Sequence, residues 1–166
     1  VFNSLGRLAE EGVPFAVAVA GENERVDPRE FTEAQDHLGD RVVQFGFLDR
    51  PDYVDLLGRS DVVVSAAHHE FFGVAVVEAL AAGCVPVLPD RLSYPELVGD
   101  RAGVALYPDG GLTGRLREVL TDLDGWRERV AGLDEDIRRF DVRTVVADYD
   151  DRLEALAAGG AQRASH

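Results

Sequence analysis

The sequence predicts an α/β domain, a Rossmann-like, doubly wound parallel sheet with helices on its faces. Three observations carry that expectation. Short unbroken apolar runs recur along the chain, as strands buried on both faces of a parallel sheet do. Each run is followed by a stretch with helical features. Gly, Pro and Asp residues punctuate the junctions. Units of this kind imply right-handed crossovers, and ligands in such sheets bind beyond the carboxyl ends of the strands.

Phe2, Leu5 and Leu8 trace the first helical stripe. No capping residue and no signal-peptide pattern precede it, so the chain is expected to begin inside an element of a longer protein. Residues 15–20 (FAVAVA) read as the first strand and end at Gly21. A helix is expected over 28–38, opened by Pro28, and a second strand over 42–48 (VVQFGFL). Residues 51–59 read as a short helix, 61–67 (DVVVSAA) as the third strand, and 72–82 as a helix stopped by Gly83. A fourth strand at 85–88, a brief helix near 95–98 and a weak strand at 103–107 follow. The remainder to about 157 reads as helical, with Leu112, Leu116, Val119 and Leu120 on one stripe and Val146, Tyr149, Leu153 and Leu156 on another. The domain is thus expected over 1–157, with a flexible Gly-rich tail at 158–166. The loops at 21–27, 46–50, 66–73 and 89–95 are where a ligand should sit.

Composition narrows the function classes. The 166 residues suit one domain, and no apolar run approaches the ~18 residues of a membrane span. A net charge of −14 repels phosphate backbones and anionic lipid, which disfavours direct nucleic-acid binding. Cys84 is the single cysteine, so neither an internal disulfide nor a cysteine-based zinc site is possible, and a reducing, cytoplasmic setting is expected.

Chemistry concentrates at residues 68–80 (HHEFFGVAVVEAL), directly after the third strand. From Phe72 to Ala82 the sole ionisable residue is Glu78, and a carboxylate in so apolar a helix needs polar partners. Ribose hydroxyls would suit it, because an ionised carboxylate accepts two donors side by side; an arginine elsewhere in the chain is the structural alternative. Gly73 stands where first-turn amides receive phosphate. Glu70 would lie about two helical turns from Glu78, a spacing that fits one nucleotide sugar, although a helix start also favours an acidic residue for its dipole alone. His68 and His69 point to opposite sides of an extended stretch, so at most one faces the ligand and a metal pair is disfavoured.

The string E-x-F-G-x4-E-A-x3-G from Glu70 to Gly83, followed by Pro86-Val87 and Pro95-Glu96, resembles the signature of family 4 (group 1) retaining glycosyltransferases. The resemblance implies the carboxyl-terminal half of a GT-B type enzyme, the half that binds the donor. Within the family, HEFFGVA and the later Tyr-Pro-Glu look most like the branch of tRNA-queuosine mannosyltransferases. By that resemblance Glu70 would be the catalytic residue contacting the donor hexose. His69, Phe71, Phe72, Gly73 and Val74 would line the sugar and diphosphate, Glu78 would hold the ribose, and Gly21, Gly46 and Phe47 would border the rest of the donor. Transfer would retain configuration by front-side attack and require no metal or other cofactor. The donor would be GDP-mannose and the acceptor queuosine in a tRNA.

Gly21-Glu22-Asn23-Glu24 has one glycine where many relatives have more. The cations that neutralise the departing diphosphate lie upstream in the family, so an amino-terminal acceptor domain is the implied partner and this segment alone is expected to be inactive. Other classes fit less well: the loop after the first strand lacks the second and third glycines of G-x-G-x-x-G, and neither G-x-S-x-G nor a Walker loop occurs. A non-catalytic, transferase-like binding domain is the remaining alternative.

Overall fold

The computed structural model describes residues 1–21, 35–69, 71–146, 149–150 and 152–153, without the side chains of 102 and 104. The strands are β1 (Val17–Ala20), β2 (Val42–Gly46), β3 (Val62–Val64), β4 (Val85–Pro89) and β5 (Leu106–Tyr107). Every pairing is parallel, as the alternation predicts: β1 with β2, β3 with β4, and β4 with β5. Among the described residues the ladder is divided into a two-stranded sheet, β1-β2, and a three-stranded sheet, β3-β4-β5.

Burial follows that order. All five residues of β4 are buried, since a strand flanked on both edges and covered on both faces keeps no contact with water. Strands β1 and β3 are only partly buried, although the sequence reads them as apolar throughout. Each pairs along one edge alone among the described residues.

The principal helices are α1 (Phe2–Glu10), α2 (Arg50–Arg59), α3 (Val74–Ala81), α4 (Tyr94–Val98), α5 (Leu112–Thr121) and α6 (Leu123–Arg129). Leu5 and Leu8 of α1 are buried, as are Leu116 and Val119 of α5. The two helices are also tied by Arg117, whose guanidinium donates to both carboxylate oxygens of Glu11 at 2.6 and 2.7 Å. The guanidiniums of Arg115 and Arg129 each lie 4.9 Å from the ring centre of Trp126 of α6.

The weak strand expected at 103–107 is shorter than predicted. Residues 102–105 form a helical turn and only Leu106 and Tyr107 pair. Pro86 supplies the reason. The Val85 N–H donates to Asp61 on the β3 side, so alternation aims position 86 toward β5, where proline has no N–H to offer. Extending the Leu88↔Leu106 register back by two places residue 104 opposite that missing donor.

The second strand stops at Gly46 and the third at Val64, before their expected ends. The expected helix at 72–82 starts at Val74, because Gly73 precedes it with a left-handed φ of +80°. The carboxyl-terminal stripe departs from expectation too. Val146, Tyr149 and Leu153 are exposed, so that face finds no cover among the described residues. Residues 35–38 are helical, but the rest of the expected helix at 28–38, Leu156 and the tail at 158–166 lie outside the described residues. No helix among the described residues is long and apolar enough to cross a membrane.

Candidate functional site

The carboxyl ends of β1 and β2 meet at two predicted positions. The Gly21 N–H donates to the Gly46 carbonyl at 3.2 Å, and Gly46 takes a φ of +103° that L side chains rarely adopt. Phe47 emerges from that turn 70% exposed. The chain then enters α2 through Asp49, whose side chain accepts from the Asp52 N–H at 3.0 Å and caps the helix, with Pro51 in its first turn.

Beyond β3, the chain at residues 65–69 and 71–73 is held from beneath. Ser65 Oγ lies 2.8 Å from the Tyr94 hydroxyl and accepts from the Ala67 N–H at 3.2 Å. The Tyr107 hydroxyl donates to the Ser65 carbonyl at 2.8 Å, and burial pushes that phenol above its ordinary pKa, keeping it a donor. Arg91 Nε donates to the Ala67 carbonyl at 3.1 Å while its Nη1 meets Asp109 at 2.8 Å. Ser93 Oγ donates to the Phe72 carbonyl at 3.3 Å. The turn after β4 thus grips the segment at both ends. Leu92, between these two contacts, has a φ of +61°, an uncommon conformation for a residue bearing a side chain.

On that platform His68 and His69 are both exposed, and Phe71 is fully exposed. Phe72 turns the other way, its ring 5.2 Å from that of Phe140 in an edge-to-face contact. Gly73 is buried and Val74 opens α3 exposed. Glu70 lies outside the described residues.

Glu78 has the polar partners that its apolar helix demands. Arg50 Nη1 of α2 reaches its Oε1 at 2.7 Å, and the Glu78 side chain is 28% exposed. Tyr53, one turn along α2, lies on the same side, near enough for the carboxylate to act on its phenol. Burial first, then the nearby Glu78 carboxylate, hold the Tyr53 phenol above its ordinary pKa, so it stays protonated. The guanidinium of Arg50 lies 5.6 Å from the Tyr53 ring centre. The loop expected to border the donor and the carboxylate expected to hold its ribose are therefore joined by one contact.

Arg50, Tyr53, Arg91, Ser93 and Tyr94 were not among the expected site residues. Helical spacing from Pro51 would have shown that positions 50 and 53 share a face, but not that this face meets α3. Among the described residues no group of three or more His, Cys, Asp or Glu side chains is placed to hold a metal. A shallow cavity of about 90 Å³ beside Leu80, Cys84 and Val130 lies at the amino end of β4, away from these loops.

Residues 1–130 match the glycosyl transferases group 1 family. Over 95 residues the chain is 44% identical to the tRNA-queuosine alpha-mannosyltransferase of Drosophila melanogaster, a stretch covering 57% of this chain and 25% of that protein. Over 123 residues it is 32% identical to the glycogen synthase of Mycobacterium tuberculosis (strain ATCC 25618 / H37Rv), covering 72% of this chain and 30% of the relative. The chain spans only about a quarter to a third of the length of these relatives. The family match over most of the chain agrees with the parallel α/β fold and the Glu70-to-Gly83 string, and the chain belongs to the glycosyl transferases group 1 family.

Proposed function

We propose that this chain is the donor-binding domain of a retaining glycosyltransferase that moves a hexose from a nucleoside-diphosphate sugar. The observation that carries this reading is Glu78, an incompletely buried carboxylate behind the Gly73 turn, on the side where α2 and the Phe47 loop also converge. Ribose hydroxyls are matched donors for it. The outward amides of the first turn of α3 suit the diphosphate. Glu70, His69 and Phe71 would then face the hexose, and the exposed Phe47 the base. The reading calls for no resident metal.

The finer assignment follows the 44% identity to a tRNA-queuosine alpha-mannosyltransferase. It makes GDP-mannose the donor and queuosine in a tRNA the acceptor, in a cytoplasmic enzyme. With a net charge of −14 on this domain, tRNA contact is assigned to an amino-terminal acceptor domain. That domain would also supply the cations that neutralise the departing diphosphate, so this segment alone should not turn over GDP-mannose.

The Arg50 contact favours one competing reading, in which Glu78 only fastens α2 to α3 within a non-catalytic domain. Calorimetric titration of GDP into full-length Glu78→Gln separates the two. Loss of a hydrogen bond to a charged group costs about 1.5–3 kcal/mol, so the donor reading expects affinity to fall roughly 10- to 150-fold. Unchanged affinity together with a lower melting temperature would leave the structural reading standing. Glu70→Gln should instead slow sugar transfer with little change in GDP affinity. Titration with GDP-mannose, UDP-glucose and ADP-glucose should rank the guanosine donor tightest, and a uridine preference would remove the mannosyltransferase assignment.

A further inference from the structure

We propose that Arg50 and Tyr53, on the first turn of α2, are positioning residues that hold the Glu78 carboxylate in the orientation in which it receives the ribose of the donor. This inference rests on the donor-site reading above. Positions 50 and 53 are three apart on a helix and share a face. That face is turned toward α3, because Arg50 Nη1 stands 2.7 Å from Glu78 Oε1 and the same guanidinium lies 5.6 Å from the Tyr53 ring centre. The Asp49 cap and Pro51 set the start of α2, so the two donors arrive from a defined first turn.

Hydrogen-bond capacity distinguishes positioning from blockade. An ionised carboxylate offers about four acceptor sites over its two oxygens. The guanidinium occupies one of them and the phenol would take a second, which leaves room for a pair of vicinal hydroxyls. A glutamate side chain without such partners would sample several rotamers, and ordering it would be charged against ligand binding. The raised pKa of Tyr53 supports the donor role of its phenol. Arg50 is itself 67% exposed, and ion pairs so open to water add little to folding. Its replacement should leave the protein folded, so that the effect appears in nucleotide binding.

The test is titration of GDP and 2′-deoxy-GDP into the full-length protein and its Arg50→Ala, Arg50→Lys, Tyr53→Phe and Glu78→Gln variants, and into the Arg50→Ala/Glu78→Gln double variant. Arg50→Ala and Tyr53→Phe are expected to weaken GDP binding by about 5- to 20-fold, with partial recovery in Arg50→Lys. The double variant should bind about as weakly as Glu78→Gln alone, because residues acting through one carboxylate are not additive. The penalty for removing the 2′-hydroxyl, present in the parent protein, should shrink in Arg50→Ala. If Glu78→Gln weakens binding while Arg50→Ala binds GDP as well as the parent or better, Arg50 competes with ribose and the inference fails, although the donor reading survives. An additive double variant overturns it equally. If Glu78→Gln leaves affinity unchanged, the donor reading fails and this inference with it.

Discussion

Beneath the candidate site, Tyr94 is fully buried, and its hydroxyl and Ser65 Oγ are 2.8 Å apart. The same Ser65 accepts from Ala67, and its carbonyl accepts from Tyr107, so one residue at the end of β3 joins the loop after that strand to β5 and α4. Tyr94→Phe keeps the ring and removes this contact. It should lower the unfolding free energy by about 1–2 kcal/mol, read from urea denaturation, because the partner hydroxyl stays in a half-buried place with one bond fewer. Unchanged stability would mean that water replaces the phenol at no cost. The Tyr-Pro-Glu string is legible in the sequence, but its phenol cannot be assigned to Ser65, 29 residues away, without the fold. Glu78 shows the same division. An apolar helix containing one carboxylate announces the need for a partner, and only packing identifies Arg50 among the chain's many donors.

At the scale of elements, α3 begins where the backbone leaves the left-handed conformation of Gly73, at φ +80° and ψ +47°. Placing a Cβ there costs roughly 1–2 kcal/mol for an L residue. Gly73→Ala is therefore expected to destabilise the protein by about that amount and to weaken GDP binding, since the first turn of α3 would shift. A denaturation midpoint equal to that of the parent would show that this turn adapts without strain. Boundaries of this kind are partly legible. Gly83 ends the helix as expected, whereas the contraction of β5 to Leu106 and Tyr107 depends on which edge of β4 faces it at Pro86. Proline is visible in the sequence; the direction of its missing donor is a property of the sheet.

For the whole molecule, a net charge of −14 over 166 residues makes compact folding work against self-repulsion. Arginine pairs such as Arg117 with Glu11 and Arg91 with Asp109 offset part of it locally. Salt screens the long-range repulsion more than close pairs, so raising ionic strength from about 10 mM to about 150 mM should raise the melting temperature. A fall would show that the ion pairs outweigh the net field.

By itself the sequence determined the parallel α/β class, the order of the five strands, the burial of Leu5, Leu8, Leu116 and Val119, and the string that marks the family. These follow from periodicity, turn residues and residue chemistry, which act over a few neighbouring positions. Tertiary structure alone decided the division of the ladder between β1-β2 and β3-β4-β5, the exposure of Val146, Tyr149 and Leu153, the grip of Arg91 and Ser93 on the loop after β3, and the pairing of Glu78 with Arg50. Each of these depends on which surfaces meet across distant parts of the chain, and hydrophobic burial, being non-directional, leaves that choice to the packing of the folded molecule.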